Sequence, residues 1–331
     1  MANTTLTDTS VLKSYIPELF SPQLKENMRD SLLLTRITNT EFQGKFRNKG
    51  DTIVVRKTPL INSKVYVDGM KIAADSPTAE DERFVINRAR YWAFRVPDIH
   101  QALSDVPNYA ATMAREGGLS LAQDIEQEFL NDIYAKCDSR NTGNAAGAIS
   151  GAYKLGNATA TDGSGNGPLY LYKTQALADA DNTSNRKKAA VVDAIAACVG
   201  ALREQKGGLQ GRPFVIVPEA IAVRIQTSEL KDASLTGDAK SVIREGIEAI
   251  GSIAGMDIFR SNLLPTTTVD GNTCFVCLYG DTSAITFANE ISKTEVYRDP
   301  ETFADVHRSL CVYDWFARWP ERFGYMVATL G

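Results

Sequence analysis

Two histidines are the only residues of this 331-residue sequence that could supply the base of a Ser–His–Asp or Cys–His catalytic arrangement. His100 lies at the start of a predicted helix, and His307 lies in a predicted strand region. The sequence contains neither a G-x-S-x-G turn nor a P-loop that would place a reactive group in a known context. We therefore predict structural roles for both histidines.

Cysteine is the other reactive residue type, and Cys274 and Cys277 form a Cys-x-x-Cys pair. A zinc site needs a second Cys or His pair at suitable spacing, and none follows. The residues between them predict a strand, in which these two thiols point to opposite faces. We predict buried, inert thiols. The odd number and wide spacing of the cysteines also indicate free thiols and a reducing compartment: Cys137, Cys198, Cys274, Cys277 and Cys311.

The glycines of Gly163-Ser-Gly-Asn-Gly167 do not match a dinucleotide-binding G-x-G-x-x-G motif, and no strand-to-helix junction surrounds them. This segment is predicted to be a flexible loop. The sequence therefore offers no candidate catalytic, cofactor-binding or metal-binding residue, and we predict that the protein is not an enzyme and takes no cofactor.

A local run of basic residues is the remaining candidate for a binding site: Lys45, Arg47, Lys49, Arg56 and Lys57. Clustered positive charge could contact nucleic acid. Two other interpretations are favoured over this: a solvated strand face and, ahead of it, pairing across a hairpin or a subunit boundary with the acidic residues Asp75, Glu80, Asp81 and Glu82. The following strand repeats the basic character with Arg83, Arg88, Arg90 and Arg95.

The overall charge argues against a dedicated nucleic-acid-binding protein, since the net charge is -4 and the pI about 5.4. No run approaches the roughly 18 consecutive apolar residues of a membrane span, and Met1–Ser10 lacks the features of a signal peptide. We expect a soluble protein that is intracellular when made.

The elements that would position these residues begin with helical segments over Val11–Arg36, interrupted by two prolines. Strands are predicted over Asp51–Thr58 and Arg83–Val96, and the long connection between them favours an extended hairpin with a mobile tip. A helix is predicted over His100–Val106, and a long one over Tyr109–Lys136 with an apolar stripe on one face and Glu126 on the other.

Residues 138–187 differ in composition, and the run Asn141–Pro168 within them is rich in Gly, Asn, Ala and Ser, which predicts a surface insertion or irregular loop. The remainder predicts a mixed domain with helices over Lys188–Gln205, Glu219–Thr227 and Ser241–Gly251, and strands over Phe214–Val217, Met256–Phe259, Cys274–Tyr279, Ala284–Ala288, Thr294–Arg298 and Leu310–Ala317. The fold class is α+β. Aromatic residues near the C-terminus are predicted to pack at a core edge, with the terminus tied into a sheet.

This order of elements resembles that of the tailed-bacteriophage major capsid proteins, which have the Hong Kong phage-type capsid fold. Three stretches carry the resemblance: Arg90-Tyr-Trp-Ala-Phe-Arg-Val-Pro-Asp-Ile-His100 before the long helix, Glu248–Asn262 with the following Leu263-Leu264-Pro265, and Phe287–Lys293 through Val312–Asp314. The likeness extends over nearly the whole chain.

The resemblance implies an N-terminal arm, an extended β-hairpin loop, a long spine helix and a mixed axial domain. The implied divisions are an arm over 1–36, a hairpin loop over 37–96, a peripheral domain with the spine helix and an insertion over 97–187, an axial domain over 188–282, peripheral strands over 283–318 and a C-terminal axial segment over 319–331. Some relatives crosslink through a Lys–Asn isopeptide bond, and Lys64 and Lys71 lie in the corresponding loop, but no partner residue matches.

The implied function is a coat protein that self-assembles into pentamers and hexamers of an icosahedral shell. The implied partners are other copies, scaffolding and portal proteins, decoration proteins, and packaged double-stranded DNA held by non-specific contact, with no membrane. The protein would be made in the host cytoplasm and reside in the virion capsid. The alternatives are an encapsulin-like compartment shell, a tail or baseplate protein, and an intracellular α+β enzyme.

Overall fold

The computed structural model describes residues 33–41, 52–57, 61, 63–72, 74, 76, 80–98, 109–161, 166–183, 185–205, 211–228 and 252–331. Several predictions lie outside these residues: most of the helical segment over Val11–Arg36, the helices over His100–Val106 and Ser241–Gly251, and the basic residues Lys45, Arg47 and Lys49.

The described helices are α1 (Leu34–Ile37), α2 (Tyr109–Ile133), α3 (Gln175–Ala180), α4 (Val191–Glu204) and α5 (Glu219–Gln226). The described strands are β1 (Thr52–Lys57), β2 (Glu80–Val85), β3 (Arg88–Pro97), β4 (Leu169–Tyr172), β5 (Lys187–Ala190), β6 (Pro213–Val217), β7 (Ser252–Ile253), β8 (Met256–Arg260), β9 (Thr266–Val269), β10 (Asn272–Asp281), β11 (Ile285–Arg298), β12 (Ala304–Ala317) and β13 (Phe323–Leu330). Short 3-10 turns cover Tyr134–Lys136, Ser139–Asn141, Gly143–Ala145 and Pro320–Arg322.

The larger sheet has the order β5-β4-β13-β10-β6-β8-β7, with β9 paired to β10. Strand β10 is antiparallel to both β13 and β6, whereas β4 and β5 run parallel to β13. Helix α4 buries Ile195, Cys198 and Leu202 in the same apolar cluster as the strand residues Phe214 and Cys277. Burial of this surface provides the main driving force for the fold of this part of the chain.

The smaller sheet has the order β11-β12-β3 and is antiparallel throughout. Helix α2 lies along one face of it, which we call the inner face. The Phe129 and Trp315 rings meet edge to face there with their centroids 5.6 Å apart. Gly117 brings the helix close to the sheet, since a Cβ at this position would lie 3.0 Å from Trp92 Cδ2. Phe129 and Trp315 belong to the same cluster as α4, so one continuous core joins both sheets.

The mixed α+β class and the long helix are confirmed, and several boundaries differ. The predicted strand Arg83–Val96 is two strands, because β2 pairs with β1 whereas β3 pairs with β12. The predicted strands Ala284–Ala288 and Thr294–Arg298 form one strand, β11, with a bulge between Ile291 and Lys293.

Glu126 differs from its predicted position on the polar face of the long helix. It is buried, and its Oε2 accepts hydrogen bonds from the main-chain N–H groups of Leu33 at 2.7 Å and Leu34 at 3.2 Å. These N–H groups belong to the first turn around α1, where no intrahelical acceptor is available. The carboxylate is therefore the anchor for the described end of the arm.

Where it is described, the run 141–168 consists of short 3-10 turns and irregular backbone, as predicted, but it is not confined to the surface, and residues 169–187 contain β4 and α3. Asn141, Ala146 and Leu155 are fully buried, and β4 is an interior strand of the larger sheet. Gly156 has a φ of +71°, and a Cβ there would lie 2.2 Å from the carbonyl oxygen of Val327. Only glycine fits such a close approach of the loop to β13.

Candidate assembly surfaces

The tip of the β1–β2 hairpin displays large apolar side chains to solvent. A turn shapes this tip. The Met70 N–H donates to the Val67 carbonyl oxygen at 3.0 Å across the turn, and Gly69 within it has a φ of +82°. Exposed fractions reach 84% for Val65 and 86% for Ile72. Several large apolar side chains exposed in one short segment are typical of an interaction site. The group, here called the tip, consists of Ile61, Val65, Tyr66, Val67, Met70 and Ile72.

The base of the hairpin is fixed to the outer face of the smaller sheet, opposite α2. Phe84 and Ile86 are each 2% exposed and pack with Ala288 and Val312. The Phe84 and Phe316 rings stack with their centroids 5.7 Å apart. The hairpin is therefore held at its base, while its tip contributes nothing to this cluster.

The strand register of the hairpin places residues of opposite charge at paired backbone positions, and contact between their side chains stays a prediction. Arg56 lies directly opposite Asp81, and Lys57 lies opposite Glu80. Opposite charges at directly paired positions stabilise an antiparallel ladder. Lys64 and Lys71 are exposed.

The uncovered end of the outer face forms a shallow groove of about 450 Å³ beside the hairpin base. Two tyrosines line this groove: Tyr91 is 75% exposed and Tyr297 is 42% exposed. The bulge in β11 shifts the alternation of its side chains, which puts Lys293, Glu295 and Tyr297 on this face. The full lining is Tyr91, Ala93, Lys293, Glu295, Tyr297, Val306, Arg308, Ser309 and Leu310.

The groove carries one fixed ion pair. Arg308 donates to the Glu295 carboxylate at 2.6 Å and stacks over the Tyr297 ring at 4.8 Å. The hydrogen bond and charge of Arg308 lower the pKa of Glu295, so the pair stays ionised near neutrality. With Lys293 beside it, the groove offers apolar surface edged by two cations and one anion. Sequence reasoning missed this site, because strand pairing and a bulge create it.

Arg88 and Arg90 pair with acidic side chains on one face of α2. Arg88 contacts Glu128 at 2.5 Å and Asp132 at 3.0 Å, and Arg90 contacts Glu128 at 2.9 Å. Side chains four residues apart lie on the same side of a helix, and side chains two residues apart lie on the same face of a strand. Glu128 and Asp132 can therefore face Arg88 and Arg90 together. The Arg88 guanidinium also lies 3.9 Å from the Trp315 ring centroid.

This ion-pair cluster keeps Glu128 ionised. Burial alone would raise its pKa, but hydrogen bonds from Tyr313, Arg88 and Arg90 lower the pKa below the usual value. The Tyr313 hydroxyl donates to Glu128 at 2.7 Å, and burial with this bond raises the pKa of Tyr313 to about 12. The cluster therefore joins α2 to the inner face of the smaller sheet.

The histidine and the cysteine pair weighed in the sequence analysis lie in packed surroundings where they are described. The His307 ring stacks on Phe94 with the centroids 4.9 Å apart. Cys274 and Cys277 are buried in separate clusters, as predicted, and burial raises the pKa of Cys277 to about 12. Within the described parts of the chain, no three His, Cys, Asp or Glu side chains come together as a metal site. The described helices include none that is long and apolar enough to cross a membrane.

The C-terminal residues are tied into a sheet, as predicted. Strand β13 is an interior strand, hydrogen-bonded to β10 on one side and to β4 on the other. Its aromatic residue Phe323 is fully buried, and Tyr325 packs edge to face on Tyr134 with the centroids 5.6 Å apart.

Comparison with known proteins gives matches among solved structures. No protein-family model matches the chain, and no curated protein matches its sequence. A chain in a structure of Mycobacterium phage Che8 is 21% identical with a TM-score of 0.64, and the match covers 95% of this chain and 97% of that one. In the capsid of cyanophage P-SCSP1u, a chain is 12% identical with a TM-score of 0.64, covering 97% of this chain and 95% of that one.

The mature capsid of bacteriophage PhiM1 contains a third similar chain, which is 14% identical with a TM-score of 0.61 and is matched over 95% of this chain and 91% of that one. The matches extend over more than nine tenths of each chain, so the likeness is one of the whole fold rather than of one shared motif. The chain therefore has the fold of the subunits that build bacteriophage capsids.

Proposed function

We propose that this chain is the major capsid protein of a tailed bacteriophage and that its copies form an icosahedral shell around double-stranded DNA. The observation that carries the proposal is the exposed apolar tip on a chain whose fold matches capsid subunits over almost its full length. A shell subunit needs interfaces rather than an active site, and the described residues offer the former. The protein would be assembled in the host cytoplasm and reside in the virion capsid.

The tip of one copy docks in the groove of the next copy. Both surfaces are apolar and solvent-exposed within the single chain, so they are open to a partner. Their charges are complementary, since Asp68 of the tip turn suits Lys293 or Arg308, and Lys71 suits Glu295. Because two different surfaces meet, the contact is head-to-tail, and repetition closes a ring. Rings of five and six copies are the units of an icosahedral shell.

The two sheets correspond to two domains of the subunit. The smaller sheet with α2 would form the peripheral domain, and the larger sheet would form the axial domain around the ring centre. Because β4 and β5 lie in the larger sheet, we place the start of the axial domain near residue 138 rather than 188. The arm before residue 37, the late strands of 283–318 and the C-terminal segment of 319–331 keep their expected assignments.

Scaffolding, portal and decoration proteins are the expected partners of such a shell, with DNA held by non-specific contact. An encapsulin-like compartment shell is the second candidate, because it would use the same interfaces without DNA. Packaged nucleic acid in purified particles separates these two. The enzyme alternative would be revived by turnover from a stable single subunit.

The test is size-exclusion chromatography with negative-stain electron microscopy of the expressed chain, with scaffold added if needed. We expect closed shells or rings of five and six subunits. A double variant, Val65→Ser with Tyr66→Ser, should remain folded and leave mostly single subunits. The matched control is Ile149→Ser, which alters another exposed apolar residue, 79% exposed, and should assemble as the unchanged chain does. A chain that remains single with scaffold present would overturn the capsid proposal.

A further inference from the structure

The two sheets are joined by a two-stranded ribbon that loses its regular pairing at one place. The β10–β13 ladder ends at Gly280 opposite Phe323, and the β11–β12 ladder begins at Ile285 opposite Ala317. The segments between them, residues 282–284 and 318–322, are here called the crossing. A break in a ladder is where a ribbon bends most readily, so the crossing is the place where a change in the angle between the two sheets is easiest.

Neither ladder continues through the crossing, although neighbouring segments hydrogen-bond to it. The Asp138 N–H donates to the Pro320 carbonyl oxygen at 3.0 Å, Asn141 Nδ2 donates to the Glu321 carbonyl oxygen at 2.7 Å, and the Thr282 N–H donates to the Arg212 carbonyl oxygen at 3.2 Å. The Trp319 N–H donates to the Ala284 carbonyl oxygen at 3.0 Å, and the Arg322 N–H donates to the Trp319 carbonyl oxygen at 3.0 Å. The Ala284 N–H donates to the Asp281 carbonyl oxygen at 2.9 Å. These single bonds replace the continuous ladders on either side.

A third segment lies alongside the crossing, and it comes from the arm. The Asn39 N–H donates to the Ile285 carbonyl oxygen at 2.8 Å, and the Phe287 N–H donates to the Asn39 carbonyl oxygen at 3.0 Å. This makes a short parallel bridge on the edge of β11. Glu41 then pairs with Arg318, a crossing residue, at 3.1 Å. The arm therefore contacts both strands of the ribbon where they lose their pairing.

The other end of the same segment is held by α2. Besides the two N–H groups bound by Glu126, the side chains of Leu33, Leu34 and Ile37 are buried in the core. Residues 33–41 thus run from α2 to the crossing with both ends fixed.

We propose that residues 33–41 form a strap that holds the crossing at one angle and couples the arm to the bend between the two sheets. Release of the strap would let one sheet move relative to the other. The consequence for a shell rests on the proposed function, because pentamers and hexamers need the same subunit at slightly different bends. The strap itself is a property of the single chain.

The test is amide hydrogen exchange of the purified chain, read at Ala284, Trp319 and Arg322. None of these N–H groups donates to the strap. Two variants release it: Glu41→Arg places a positive charge against Arg318, and Asn39→Pro removes the donor to Ile285. Exchange at the three amides should rise about threefold or more in both variants. Exchange at Cys277 and Leu278, inside the β10 ladder, should not change and would report any general unfolding.

The matched control is Glu301→Arg, the same charge change in the loop at the far end of the β11–β12 ladder. It should leave all five amides unchanged. If the folded Glu41→Arg variant exchanged these three amides at the same rate as the unchanged chain, the strap proposal would be wrong. Because this measurement needs no assembly, it is independent of whether the chain forms shells. If it does form shells, the released variants should give particles of mixed size.

Discussion

The Tyr279 hydroxyl donates a 2.6 Å hydrogen bond to the main-chain carbonyl oxygen of Asn141, and both residues are fully buried. The Asn141 side chain completes the network, since its Nδ2 donates to the carbonyl oxygens of Glu321 and Phe323 and its Oδ1 accepts from Gln205. An irregular segment can be buried only if its polar groups find such partners. This network therefore fixes the segment after α2 against the larger sheet.

Replacement of Tyr279 by Phe should destabilise the chain by about 1–3 kcal/mol, because it leaves the buried Asn141 carbonyl oxygen without its donor. The measurement is the free energy of unfolding from urea titration. Tyr91→Phe is the matched control, since Tyr91 is 75% exposed and its change should have almost no effect. Equal stability of the two variants would contradict the role given to the network.

Acid should weaken the joint between α2 and the smaller sheet. The pKa of Glu128 is lowered in the folded chain from its usual 4.5, and that of Asp132 from 3.8. A carboxyl group with a lowered folded pKa stabilises the fold above its unfolded pKa, and this stabilisation is lost as the pH falls through the folded pKa. The stabilisation is therefore complete near neutrality, starts to fall as the pH approaches 4.5, and is lost once the pH lies below the lowered pKa values of the folded chain.

Glu128→Gln should reduce the free energy of unfolding at pH 7. It should also reduce the loss of that free energy between pH 5 and pH 3 by about the same amount, because both effects measure the contribution of the Glu128 carboxylate. Urea titrations at several pH values measure both. Asp124→Asn is the control, because Asp124 is 51% exposed and lies 3.5 Å from Arg90. If the variant and the unchanged chain lost stability in parallel on acidification, Glu128 would not be responsible.

The hairpin between β7 and β8 contains a residue that does not suit its conformation. Ala254 and Gly255 form the two-residue turn with φ values of +53° and +83°. Such turns favour Asn or Asp before Gly, and the turn between β9 and β10 has this preferred pair in Asp270 and Gly271. Ala254→Asn should stabilise the chain by about 1 kcal/mol, because Asn tolerates the left-handed conformation better than Ala. Thermal unfolding measures the gain, and Ala254→Ser, which lacks this preference, should gain less.

The parts of the fold that depend on local pattern could be predicted from the sequence. Helix α2 follows from apolar residues at helical spacing, and β10 and β12 follow from β-branched and aromatic runs. Features that depend on pairing between distant residues could not be predicted. Nothing in Glu126 itself signals that it binds main-chain groups more than ninety positions away, at Leu33 and Leu34. Strands β4 and β5 are four residues each, too short for an alternation signal.

In the candidate site, too, the features set by local sequence could be predicted, and those set by pairing between distant strands could not. The hairpin tip could be predicted from turn residues and the length of the connection, and its exposed apolar residues are local. The groove could not, because it depends on which residues of β3 and β11 flank β12. A bulge of one residue in β11 decides whether Glu295 and Tyr297 face α2 or the solvent.

The ion pair in the groove gives a test of docking that does not disturb the fold. Arg308 and Glu295 are exposed, so their pair adds little to the stability of a single chain. Reversal of one charge, Glu295→Arg, would place three cations along the groove and repel Lys64 and Lys71 of an incoming tip. Assembly should weaken about tenfold in critical concentration while the unfolding temperature stays nearly constant. Light scattering during assembly measures the first quantity and calorimetry the second. The double variant Glu295→Arg with Arg308→Glu restores both the ion pair and the net charge, so it should recover most of the assembly. If a folded double variant did not recover assembly, the tip would dock on a different surface.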